Sequence, residues 1–264
     1  MEATAEVKEE KKAPSRDTLT DYELLSALFF YPENESHLKK IGDVYKYLSV
    51  NLPESAEVMR PFMEFIATST LEELQELFLR SFDIQAITTL DIGFILFGED
   101  YKRGQLLVHL NMEHRDAGNI CNTELSDHLP NVMRLLSKMK DDVMRMEIAN
   151  RLIAPAVVKM LEEFDPKKVE KKDKVYKKHL KTIIDYSTKF RTVYQTLLQA
   201  LIIALKKDFG YEPESTVTSP GREEKDVATP SCEDESLSCS CSSAGPSTPD
   251  YTRNIETEMN IEKL

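Results

Sequence analysis

Residues 98–105, Gly98-Glu99-Asp100-Tyr101-Lys102-Arg103-Gly104-Gln105, and residues 124–130, Glu124-Leu125-Ser126-Asp127-His128-Leu129-Pro130, are two short polar islands in the middle third of a 264-residue chain. Each is set between apolar stretches whose large side chains recur at three- and four-residue steps, the period of a helix face. The charged groups of the islands therefore fall at helix ends and not along exposed faces. The same period continues in both directions with no strand alternation and no hairpin turn signal, which makes the fold class all-α.

Next to the first island, Tyr101 to Ala117 reads as a helix with Leu106, Leu107, Leu110 and Met112 mostly inward. After the second, Val132, Leu135, Leu136 and Met139 form another apolar face. Upstream, Thr20-Asp21-Tyr22-Glu23 is a capping box that opens a first helix, and Tyr31-Pro32 ends it. Helices follow over about residues 36–50 and 54–67, and Thr70-Leu71-Glu72-Glu73 is a second capping box. Ile84 to Phe97 carries only one charge, Asp91, and reads as a helix crossing the core, although its β-branched content also admits a strand. Downstream, Val143 to Phe164 repeats the helical pattern, and Pro155 predicts a kink or two short helices. Asp165-Pro166 ends that stretch. A long final helix is expected from Val175 to Asp208, with Gly210 as its stop.

Composition divides the chain. Residues 19–211 are densely apolar and long enough to bury a core without staples, which predicts one helical domain. Residues 1–18 form a charged arm. Residues 212–264, rich in Ser, Thr, Pro and Glu, cannot offset their own ordering entropy and are expected to be disordered. That tail has 12 acidic and 4 basic residues, which leaves −4 of the formal −12 for residues 1–211. A mildly acidic domain has no general footprint for nucleic acid. Cys232, Cys239 and Cys241 lie in the tail and Cys121 alone in the domain, so there is no disulfide framework. No export signal and no apolar run of membrane-spanning length is present, and the expected location is cytoplasmic.

The islands admit two readings. Glu99, Asp100 and Arg103 can make a helix cap with an internal salt bridge, or Arg103 can anchor carboxylates or carbonyls in its fixed fork while Gly104 admits a neighbouring helix. Asp127 can cap the next helix while His128 packs, or the pair can recognise cationic or backbone groups of a peptide. Catalytic readings fail at the spacing. Glu113-His114 and Glu124…His128 do not have the Glu-x-x-His step of a di-iron bundle, and no nucleophile elbow or Cys-His cluster occurs. The run from Lys167 to Lys181 is a basic patch whose Glu170 and Asp173 can pair with Lys174 and Lys177, a solvated helix start more than a nucleic-acid surface.

In order along the chain stand Phe82-Asp83, Leu90-Asp91-Ile92-Gly93, Gly98-Glu99-Asp100 leading into Arg103-Gly104-Gln105, Glu124-Leu125 and Asp127-His128-Leu129-Pro130. At these separations they resemble the nitrate reductase delta-subunit (NarJ-type) chaperones of the NarJ/TorD superfamily. Ser126 departs from the proline usual in that pattern, and the acidic tail lies outside it. The resemblance implies an all-helical, cytoplasmic, non-enzymatic chaperone with no cofactor of its own. Its partner would be the N-terminal segment of the catalytic subunit of a molybdopterin oxidoreductase, nitrate-reductase-like, held competent for molybdenum cofactor insertion. On that resemblance Asp127 and His128 line the peptide site, and Arg103 and Glu124 shape it. The alternative is a helical scaffold or adaptor that acts through its acidic tail.

Overall fold

Side chains that accept backbone amide protons begin most of the helices. Thr70 Oγ1 accepts from the Glu73 amide at 3.2 Å while Glu73 Oε2 accepts from the Thr70 amide at 2.8 Å, the reciprocal box read in the sequence. Asn34 caps its helix through the Ser36 amide at 3.0 Å, and Asp100 caps through Lys102 at 2.8 Å. The first helix departs from expectation. Its cap is Asp21, which accepts from Leu24 at 2.9 Å, because the amide of the buried Thr20 donates instead to Asp208 near the other end of the domain.

The computed structural model describes residues 18–180 and 190–212. The elements are α1 (Tyr22–Ser26), a 3-10 turn (Ala27–Phe29), α2 (Glu35–Asn51), α3 (Pro53–Thr68), α4 (Leu71–Phe82), α5 (Ile92–Phe97), α6 (Tyr101–Asp116), α7 (Leu129–Lys138), α8 (Asp142–Ile148), a π turn (Ala149–Ile153), α9 (Ala154–Glu163), α10 (Pro166–Leu180) and α11 (Tyr194–Phe209). The described residues are helical, without a strand, and belong to one compact arrangement. The expected arm and tail fall outside the described residues, apart from Thr18 and Glu212.

The core is built on α11, which packs against α3 and α9. Tyr194 is its hub, with ring centroids 5.1 Å from Phe62, 5.8 Å from Phe78 and 5.0 Å from Phe82. Fully burying an aromatic or leucine side chain contributes about 1.5–3 kcal/mol, so this cluster anchors α3, α4 and α11 together. Buried Ser55 on α3 donates to the Ala200 carbonyl of α11 at 3.0 Å, a polar tie across that seam.

Three expectations change. Of Ile84 to Phe97 only Ile92–Phe97 is helix. Ahead of it Gln85 takes a φ of 54°, and Asp91 makes an isolated antiparallel bridge with His128. The segment's backbone groups bond outside a helical ladder, the Thr88 amide back to the Ser81 carbonyl at 3.1 Å and the Leu90 carbonyl to the distant Leu129 amide at 2.8 Å, which competes with helix formation. The long final helix does not begin at Val175. Pro166 starts α10 with Asp165 capping the Lys167 amide, Phe190–Val193 is a turn, and α11 starts at Tyr194, residues 181–189 lying outside the described set. On α6 Leu110 is buried but Met112 is 47% exposed, because α6 packs mainly on the six-residue α5, which covers little of its surface. The proline reading holds, with Pro155 in the first turn of α9 and the π turn joining it to α8. Gly210 ends α11 with a φ of 62°.

Candidate functional site

The second island meets the segment ahead of α5 at the bridge between Asp91 and His128. The Ile92 amide donates to the Asp127 carbonyl at 3.0 Å and the Leu129 amide to the Leu90 carbonyl at 2.8 Å, which fixes the start of α5 against the start of α7. Arg103, in the first turn of α6, reaches this crossing with its fork. Its Nε donates to Asp127 Oδ2 at 3.1 Å and its Nη2 to Asp91 Oδ2 at 3.0 Å, and its guanidinium lies 5.5 Å from the centre of the Phe94 ring. Arg103 is thus the anchor that its residue type suggests, and its partners are carboxylates from two other segments. Among the described residues it makes no ion pair with Glu99 or Asp100 of its own island.

Close approach is supplied by Gly93 and not by Gly104. A Cβ at Gly93 would lie 2.6 Å from Asp127 Oδ2 and 3.3 Å from Arg103 Cγ, whereas around Gly104 there is open space. Asp127 itself is wholly buried. Burial pushes its carboxyl up from the ordinary carboxylate range, against the pull of the Arg103 hydrogen bond. Burial likewise works against the charge on Arg103, but the hydrogen bond and charge of Asp127, then those of Asp91, hold it firmly protonated. Asp127 does not cap α7. The cap position belongs to His128, whose side chain accepts no backbone amide there.

A second network holds the connecting loop of residues 119–128. His114 Nε2 sits 2.9 Å from the Ser126 carbonyl, and its Nδ1 sits 2.9 Å from Asn119 Nδ2. A carbonyl only accepts and an amide nitrogen only donates, so His114 carries its proton on Nε2. The other proton of Asn119 Nδ2 goes to the Asn131 carbonyl, while Arg134 and Lys138 donate to its Oδ1 at 3.1 and 3.2 Å. Asn131 in turn donates to the Leu125 carbonyl at 2.9 Å. Neither asparagine stands out in the sequence, because each acts on backbone that only the fold brings near. Gly93 did leave a signal, a lone glycine inside an apolar run.

Beside this scaffold opens a cleft of about 910 Å³. Phe30, Tyr31, Phe78 and Phe82 give it aromatic walls from the α1–α2 connection and α4, and residues 89–91 and 121–124 form further parts of its lining. Four carboxylates line it, Glu33, Asp83, Asp91 and Glu124, against two full cations, Lys40 and Arg134, so the charge balance is acidic. Of the residues singled out in the sequence, His128 and Glu124 line the cleft, while Arg103 stands behind the lining and holds Asp91, and Asp127 holds Arg103. His128 Nδ1 is buried without a hydrogen-bond partner. Burial lowers the pKa of His128, although the nearby charges of Glu124, Asp91 and Asp127 favour protonation. Such a cleft can receive apolar side chains along its walls and cationic ones at its carboxylates.

No family model matches this chain, and no curated protein matches its sequence. Among the described residues, no group of three or more His, Cys, Asp or Glu side chains is placed to hold a metal ion, and no helix is long and apolar enough to cross a membrane.

Proposed function

We propose that the protein is a cytoplasmic chaperone that binds the N-terminal segment of the catalytic subunit of a molybdopterin oxidoreductase, nitrate-reductase-like, and keeps it open to molybdenum cofactor insertion. In this reading it catalyses no reaction and holds no cofactor, the molybdenum centre being the client's cargo. The observation that carries the proposal is the aromatic and acidic cleft whose lining residues Asp91 and His128 adjoin the Arg103–Asp127 contact between the two islands. N-terminal segments that direct export or membrane docking combine basic residues with an apolar run, and the cleft offers a surface to each. Its volume lies in the range of a pocket for a small ligand or a few residues of a chain.

The test is to recover the tagged full-length protein from native cytosol and identify what accompanies it. Recovery of one molybdopterin-enzyme catalytic subunit lacking cofactor, and lost on His128→Ala with Glu124→Gln, supports the proposal. Recovery only of proteins unrelated to such enzymes overturns it.

A further inference from the structure

We infer, resting on the peptide-binding reading above, that Asp91 is the carboxylate that receives a cationic side chain of the bound segment, with Arg103 and Asp127 as its positioning residues. Of the four carboxylates that line the cleft, Glu33, Asp83 and Glu124 are exposed to solvent, whereas Asp91 is half-buried. A charge pair strengthens as water is withdrawn from it, so Asp91 offers the strongest attraction to a cation. It is also the one held in place. Its backbone is pinned by the bridge to His128 and by the Thr89 hydroxyl, 3.2 Å from its amide. Arg103 takes Oδ2, so the rotamer is set before any ligand arrives, and no hydrogen bond to Oδ1 is seen among the described residues.

Charge supports the same assignment. Asp91 and Asp127 share the single guanidinium of Arg103, which leaves one negative charge at the junction when both carboxyls are ionised. Asp127 cannot present that charge, because it is wholly buried behind Arg103 and Gly93. Asp91 can, since 30% of its side chain remains exposed. Burial disfavours the charged form of its neighbour in the lining, His128. The geometry thus separates the residue that touches the ligand from the two that aim it, and it moves the contact away from Asp127.

The experiment is calorimetric titration of the full-length protein with a synthetic peptide that carries an arginine pair ahead of a leucine-rich run, and with its twin in which both arginines are replaced by uncharged citrulline. Wild type is expected to prefer the arginine peptide by about tenfold or more, the scale of one charge-assisted contact. Asp91→Asn, which can still accept from Arg103, should bring the two affinities together. Asp91→Glu should retain the preference. If Asp91→Asn keeps the wild-type preference, or Asp91→Glu binds neither twin, the assignment of Asp91 is overturned while peptide binding stands. If wild type itself binds neither twin, the peptide-binding reading falls and this inference falls with it.

Discussion

Arg103 Nε lies 3.1 Å from Asp127 Oδ2, and the Asp127 side chain is wholly removed from solvent. Twenty-four positions separate the two residues in sequence, and their contact joins α6 to the start of α7. A buried carboxylate without its partner costs about 3–5 kcal/mol. Arg103→Met is therefore expected to destabilise the fold by about 3 kcal/mol, the low end because the guanidinium is partly exposed. Adding Asp127→Asn to that variant should recover part of the loss, since it removes the stranded charge. Urea denaturation midpoints of wild type, single and double variants at neutral pH check both statements.

Two glycines should respond in opposite directions. Gly93→Ala puts a methyl group 2.6 Å from Asp127 Oδ2 and should cost about 1–3 kcal/mol. Gly104→Ala meets open space in the body of α6 and should stabilise by about 0.5–1 kcal/mol through helix propensity. Thermal melts of the two variants give the signs directly.

His114 makes stability depend on pH. Burial is the main cause that lowers its pKa from 6.5, with the charge of Arg134 acting the same way and the Ser126 carbonyl opposing. The unfolded chain therefore takes up this proton before the folded one. The stability it contributes is complete above about pH 6.5 and declines as the pH falls below that value towards the folded pKa. Burial lowers His37 and His128 in the same direction. Denaturation midpoints should drop between about pH 7 and pH 5, and His114→Gln should make that drop shallower. An equal slope in the variant would show that His114 stays outside the linkage.

Caps give the smallest and most local effects. Thr70→Ala should cost about 1 kcal/mol, because it removes a reciprocal cap on α4. At the first helix the same cost belongs to Asp21→Ala, since Asp21 and not Thr20 accepts the orphan amide. Comparing midpoints for Asp21→Ala and Thr70→Ala with wild type tests whether both caps act alike.

What the sequence by itself determined is what acts over a few residues. The helix class, the starts of α2, α3, α4 and α6, the break at Pro155 and the stop at Gly210 follow from periodicity, caps and backbone restrictions that a short window contains. It also singled out the two islands as unusual, and Arg103 as an anchor. Tertiary structure decided which groups Arg103 holds, that Gly93 and not Gly104 admits the close approach, and that Asp91 faces the cleft while Asp127 is sealed behind it. It likewise decided that residues 84–91 leave the helix, where the Leu90 carbonyl takes the Leu129 amide from a distant segment. The physical reason is range. A cap or a helical period is satisfied within a turn or two, whereas burial and ion pairing depend on which distant segments packing brings within a few ångströms.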